Sequence, residues 1–480
     1  MDSPTISNDH TSHSTLEVRN PFLEHELQPP PEVHKVHPAP EVKDHAADGT
    51  RDVEKQGQRA PVLFKVPGLC TVRRRLLHFV IFVAVIGVIA MGLALGVKLS
   101  RKHDGSGNPS SEDKSSSGSP GDSATTNDKT NLFALRADTR ITAANFTDEF
   151  GNTNALVFYQ LQNNAIYMSA FNSSVDKWIV SPVIDGRGNV TLDDVRPGTA
   201  LGVDIYFHNS TNRYVHLYYQ DPNNVLKLLF RYTIFTDSAS SAQDWISPFA
   251  PEVFTASNGS SIASYGRQSY ASIRSSYMFF QTETDGVRGG FLWGRNDQGY
   301  SSMLFPKAAK PSEKTHLAVV GIPAINTTSR SLSIFYHSSA GVLAQLLYNG
   351  NGVYSSQPLP RGLGARSAIA AFGTGFNGTD STGSDDVGYQ VLSVDPDADT
   401  GVLSTYYRLG RWVAGEEVTA LSDCASRATM IATADRRVYC VVDGKNGTEI
   451  GEWKWTGDAA GSTDQYSKYD KMSTVDTSVS

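Results

Sequence analysis

The chain has 480 residues, with 42 Lys and Arg against 49 Asp and Glu, for a formal net charge of −7. Its second half gathers no basic face, which excludes nucleic acid as an expected partner. Three cysteines in the whole chain exclude a disulfide-built scaffold, so the folded part must rest on a buried core.

Residues 1–72 are rich in Pro, His and charge, as in Pro29-Pro30-Pro31-Glu32 and His37-Pro38-Ala39-Pro40. Such a stretch cannot bury enough apolar surface to offset its chain entropy, so a disordered cytosolic tail is expected. Its prolines are of the kind that an SH3- or WW-type cytosolic partner binds, although a plain solvated tail is the favoured reading of the composition.

Residues 76–97 follow as the uncharged run Leu76–Val97. At 1.5 Å per residue these 22 residues reach roughly 33 Å as a helix, enough for a bilayer core of about 30 Å. The basic residues flanking the run favour a cytosolic N-terminus only slightly. The Asn-X-Ser/Thr sequons are more decisive. Asn145, Asn172, Asn189, Asn209, Asn258, Asn326, Asn377 and Asn446 all follow the run, and such sites are glycosylated only on the lumenal side. The expectation is a single-pass type II glycoprotein of the plasma membrane or secretory pathway. Oxidising conditions there would permit a Cys424–Cys440 disulfide. Residues 101–130, dominated by Gly, Ser, Thr and acids, read as a flexible stalk.

From 131 to 457 short alternating runs replace these compositions: Ala155–Tyr159, Tyr214–Tyr219, Ser276–Phe280, Leu332–Tyr336 and Arg437–Val442. Turn sequences such as Asp221-Pro-Asn-Asn224 separate them, and amphipathic helices are not evident, so the domain is all-β. It also repeats. Small apolar segments at Ile141–Ala144, Thr199–Val203, Ile262–Ala263, Leu317–Val320, Ala368–Ala371 and Ala428–Ala432 each precede an aromatic strand, a turn and a third strand. Trp178, Trp245, Tyr300, Tyr354 and Trp412 close most units. Six units of roughly 50–65 residues predict a six-bladed β-propeller, with small residues where the blades converge on the axis. Residues 458–480 read as a disordered C-terminal tail.

The segment Val215-His-Leu-Tyr-Tyr-Gln-Asp-Pro-Asn-Asn-Val-Leu-Lys-Leu228 and the terminal Glu452-Trp-Lys-Trp455 resemble the repeats of the fungal fucose-specific lectins, the six-bladed family of the orange-peel mushroom lectin. The resemblance implies sugar sites between blades. An Arg on a second strand and a Glu twelve residues later on the third would hold hydroxyls, and a fourth-strand Trp or Tyr would cover the sugar's apolar face. Carried over by that spacing, the paired positions hold Leu156 and Met168, His216 and Leu228, Tyr277 and Gly289, and Ser333 and Gln345. Ser404 has no fixed partner. Glu452 has Arg437 as the nearest base, at a spacing of 15.

Gln345 with Tyr354 therefore reads as the most site-like pair. Trp178, Trp245, Trp412, Arg437 and Glu452 complete the candidate carbohydrate-binding residues, each aromatic having a purely structural alternative. Repeated sialidase boxes, metal-ligand spacing, a nucleophile elbow and a phosphate loop are not found. The acidic stretches 380–386 and 395–399 read as solvated loop tips. The expectation is a binding protein rather than an enzyme, needing no cofactor or metal. It would be a membrane-anchored lectin for fucosylated or related glycans or cell-wall components. The alternative is a propeller scaffold that has lost sugar binding.

Overall fold

The structure, a computed structural model, describes residues 131–479 apart from 208–212, 233–235, 249–253, 267–274, 283–285, 294–298, 306–307, 323–330, 349–352, 375–387, 399 and 446. The tail, the apolar run 76–97 and the stalk lie outside the described residues. Among the described residues no helix is long and apolar enough to cross a membrane.

Six antiparallel sheets follow one another along the chain. Blade one holds β1 (Thr142–Thr147), β2 (Thr153–Gln160), β3 (Ile166–Asn172) and β4 (Lys177–Ile184). Blade two holds β5 (Gly202–Phe207), β6 (Arg213–Gln220) and β7 (Leu226–Tyr232), and its fourth position is taken by an isolated Phe230–Ile246 bridge. Blade three holds β8 (Ile262–Tyr265), β9 (Ser275–Thr282), β10 (Gly286–Trp293) and β11 (Gly299–Leu304). Blade four holds β12 (Leu317–Ile322), β13 (Ser331–His337), β14 (Val342–Tyr348) and β15 (Tyr354–Gly362). Blade five holds β16 (Ala368–Thr374), β17 (Gly388–Val394), β18 (Leu403–Arg408) and β19 (Arg411–Glu417). Blade six holds β20 (Met430–Ala432), β21 (Arg437–Gly444), β22 (Gly447–Trp455) and β23 (Tyr469–Val475).

The inner strands β1, β5, β8, β12, β16 and β20 touch in succession, and β20 returns to β1. This is a closed six-bladed β-propeller. Their small side chains are required by that closeness. A Cβ on Gly202 would sit 2.6 Å from Ile262, and one on Gly321 would sit 2.1 Å from the Tyr265 ring.

The core is divided among the blade interfaces. Six buried apolar clusters each join two neighbouring blades, and the cluster of Val157, Tyr159, Tyr439, Val441 and Ile450 joins blade six to blade one. A polar latch recurs beside it. The N–H of Gln160, Gln220, Gln281 or His337, ending the second strand, donates to Thr139, Thr199, Ser260 or Thr315 before the inner strand. Gln160 also reaches the next blade, donating to the Arg196 carbonyl at 3.0 Å and accepting from the Gly198 N–H at 2.7 Å.

The expected C-terminal tail is part of the propeller. Residues 463–467 form a 3-10 turn and β23 pairs with β22 as the outer strand of blade six. Only Tyr469 and Val475 of β23 are buried, and the five residues between them are exposed. An outermost strand with so polar a sequence reads as a solvated tail. Cys424 and Cys440, both buried, form a disulfide with Cα atoms 5.3 Å apart.

Candidate functional site

Strand register, rather than sequence spacing, defines equivalent positions in the blades. In blade four Ser333 lies two residues before Phe335, the cross-strand partner of Gln345, and Gln345 Nε2 donates to Ser333 Oγ at 2.9 Å. The same rule makes Gln390 the partner of Ser404, and Gln390 Nε2 donates to Ser404 Oγ at 3.2 Å. In blade six it selects Arg437, two residues before Tyr439, the partner of Glu452. Arg437 Nη1 donates to Glu452 Oε1. The longer turn around Gly444 and Gly447 accounts for the spacing of 15.

Around this pair the neighbours are polar and aromatic. Arg437 Nε donates to Asp435 at 3.0 Å. Tyr439 Oη donates to Glu452 Oε1 at 3.2 Å and Ser473 Oγ to Oε2 at 2.5 Å. Arg437 and Glu452 are buried to 12 % and 3 % side-chain exposure. Burial opposes the charge on Arg437, but Glu452, Tyr439 and Asp435 outweigh it and hold the guanidinium above its ordinary range. Burial and then Glu452 push the Tyr439 phenol well up, so it stays a donor. Blade one supplies the opposite wall. Arg437 lies 6.0 Å from the Phe171 ring, and half-buried Trp178 of β4 meets Tyr439 edge-to-face at 6.5 Å. Arg437, Glu452 and Trp178 thus lie around Tyr439 at the interface between the last and first blades.

Gln345 and Tyr354 do not converge. Gln345 faces Gln357 across β14 and β15, and Gln357 Nε2 donates to it at 2.7 Å. Tyr354 is three residues from Gln357, an odd step along a strand whose side chains alternate, so it points to the other face. There it meets Phe305 of blade three at 5.1 Å. The aromatic beside the Gln345 pair comes from blade five. Ser333 donates to Tyr389 Oη at 3.2 Å, and half-buried Trp412 stacks on Tyr389 at 5.7 Å. Burial raises the Tyr389 phenol to about 12.

Trp245 is sealed. It is 1 % exposed, edge-on to Phe158, in the cluster that contains Leu156 and Met168. Apolar side chains at the paired positions have turned that groove into core.

The described sequons divide. Asn189 and Asn258 are exposed. Asn145 lines the axial channel with its Oδ1 buried, and Asn172 is buried and donates to Asn154 and Thr236. The Asn172 amide nitrogen is thus engaged inside the fold. Asn209, Asn326, Asn377 and Asn446 lie outside the described residues, as does the acidic stretch 380–386.

No protein-family model and no curated relative matches the sequence. Solved structures do match its shape. AofleA from Arthrobotrys oligospora aligns with a TM-score of 0.50 at 14 % identity, over 71 % of this chain and 88 % of that one. The Aleuria aurantia lectin, described as a six-bladed β-propeller with a novel fucose recognition mode, aligns at 0.51 and 11 % identity, over 72 % and 98 %. SapL1 lectin, solved with α-methyl fucoside, aligns at 0.50 and 13 % identity, over 72 % and 98 %. At these identities the likeness is one of fold: this chain carries a six-bladed β-propeller similar to those of the fungal lectins.

Proposed function

We propose that the protein is a carbohydrate-binding propeller whose principal site is the groove between blades six and one. The supporting observation is the Arg437–Glu452 pair, held in strand register and walled by Trp178 of the adjoining blade. Free guanidinium N–H groups donate to sugar hydroxyls, the carboxylate accepts from them, and an indole covers the C–H face. The fucose named for the Aleuria aurantia lectin and for SapL1 makes fucosylated or related glycans the first ligands to try. The groove of Ser333, Gln345, Tyr389 and Trp412 is a weaker neutral counterpart. The role is binding rather than catalysis.

The run Leu76–Val97 is proposed to anchor the propeller to a membrane with its glycan grooves outside. Display on a surface would let weak sites act together. A scaffold that binds protein or cell-wall material without sugar recognition is the second reading. It is favoured by the apolar filling of the groove at Trp245 and by the internal hydrogen bonds that already occupy both oxygens of Glu452.

A glycan array probed with the full-length protein separates the two, followed by titration with α-methyl fucoside. The lectin reading expects binding that weakens at least tenfold in Trp178→Ala and vanishes in Arg437→Ala. Silence across the array at millimolar monosaccharide would leave the scaffold reading standing.

A further inference from the structure

Two nitrogen-bearing side chains, Arg140 and His316, stand at the starts of inner strands. At or just before the start of each inner strand stands one of Arg140, Ala200, Ser261, His316, Ala368 and Thr429, of which Ala200 and Ala368 are buried between blades. Four are small and neutral. The two that carry nitrogen donors come from blades one and four, which stand opposite each other in a ring of six.

Arg140 is drawn toward blade three. Its Nη2 donates at 3.0 Å to the carbonyl of Gly259, in the loop that leads into blade three, while its Nη1 is buried without a partner. Arg196, in the loop leading into blade two, is held by Asn224 and Asn258, the latter one residue from Gly259. Three nitrogen-rich side chains from three blades therefore gather near the starts of inner strands. Burial and the nearby Arg196 charge lower Arg140 to about 10 despite Asp138. Burial and Arg140 lower His316 to about 3. Asp138 offers little relief, because its side chain is 64 % exposed and is bridged by Arg136 at 2.5 Å.

We propose that this cluster binds an oxyanion of the phosphate class between Arg140 and His316. Arg140 Nη1 and one imidazole N–H donate to it, with Arg196 adding field. A tetrahedral oxyanion matches donors arriving from several sides, and a guanidinium holds it with direction. The site is independent of the glycan groove. Arg437 follows the far end of an inner strand, with Ala432 paired to Val438, whereas Arg140 precedes the near end. Free phosphate and a phosphorylated lipid headgroup share this chemistry.

The test is thermal unfolding of the full-length protein in rising inorganic phosphate, with ionic strength held constant by chloride. A saturable rise in Tm is expected, with an apparent Kd weakened at least tenfold in both Arg140→Gln and His316→Gln. Arg140→Gln also loses the Gly259 bond, so His316→Gln guards against a merely destabilised variant. Co-sedimentation with phosphatidylcholine vesicles containing phosphatidic acid distinguishes the source. Pelleting of the wild type but not of the two variants supports a headgroup, and phosphate binding without pelleting supports a soluble anion. Stabilisation no greater than with chloride alone, or phosphate binding undiminished in both variants, overturns the proposal.

Discussion

Arg437 donates to Glu452 across the second and third strands of the last blade, at the register position that Ser333 and Gln345 hold in the fourth. The fold keeps one geometry for a polar pair at successive blade interfaces, and the side chains placed there decide whether a groove is charged, neutral or filled. Blade one, with Leu156 and Met168 in that position, buries Trp245. Blade six, with the ion pair, leaves Trp178 half-exposed.

The ion pair should be worth more broken than replaced. Arg437→Ala strands a Glu452 carboxylate that is nearly inaccessible, and removing one member of a buried pair costs about 3–5 kcal/mol. The double variant Arg437→Met, Glu452→Leu removes both charges and should recover most of that loss. Guanidinium-chloride unfolding of the three proteins checks this. A double variant no more stable than Arg437→Ala would show that the carboxylate is not the source of the cost.

The Cys424–Cys440 disulfide ties the short 3-10 segment Thr419–Ala425 to β21, closing a span of 16 residues. Constraint of the unfolded chain over a loop of that size contributes roughly 3 kcal/mol. Both sulfurs are buried, so a reductant should act slowly on the native protein and quickly once it opens. Cys424→Ala, Cys440→Ala is expected to lower the urea midpoint, with a slope the same or slightly steeper because the released unfolded chain is less compact. An unchanged midpoint would contradict this account.

Most of the architecture is legible in the sequence because propeller closure leaves a strong mark. Ala, Gly and Val crowd the inner strands, aromatic pairs fill the interfaces, and both recur with the blade. The site is less legible because its signal is register. The turn near Gly444 lengthens the Arg437–Glu452 interval, and Gln390 meets Ser404 at 14 residues rather than 12, so a fixed spacing misses both pairs. The sequon at Asn172 makes a related point: its three-residue pattern does not say that the strand beneath it buries the side chain against Asn154 and Thr236.

The C-terminal strand provides a direct check on the ring's closure. A chain ending at Gly457 lacks β23, exposes the hydrogen-bonding edge of β22, and uncovers Ile450 and Trp453, both buried. It also loses Ser169 Oγ to Asp476 carbonyl, at 2.5 Å a bond between blade one and the C-terminal segment. An exposed apolar edge strand promotes association. The truncated protein should be aggregated or strongly destabilised by light scattering and circular dichroism. A monomer of near-native Tm would show that β23 is dispensable.

His316 gives the fold a pH dependence of predictable sign. Its imidazole is held neutral down to about pH 3 by burial and by Arg140, whereas in the unfolded chain it titrates near 6.5. Between those values the unfolded state binds the extra proton, so stability rises with pH across that window. The contribution is fully present above about pH 6.5 and is lost as pH falls toward about 3. Carboxylates titrate within the same range, so the informative quantity is the difference between wild type and His316→Gln. That difference should shift in favour of the variant as pH is lowered from 7 to 4, measured from urea unfolding at each pH. Parallel curves would mean that the His316 side chain is already solvated in the native protein.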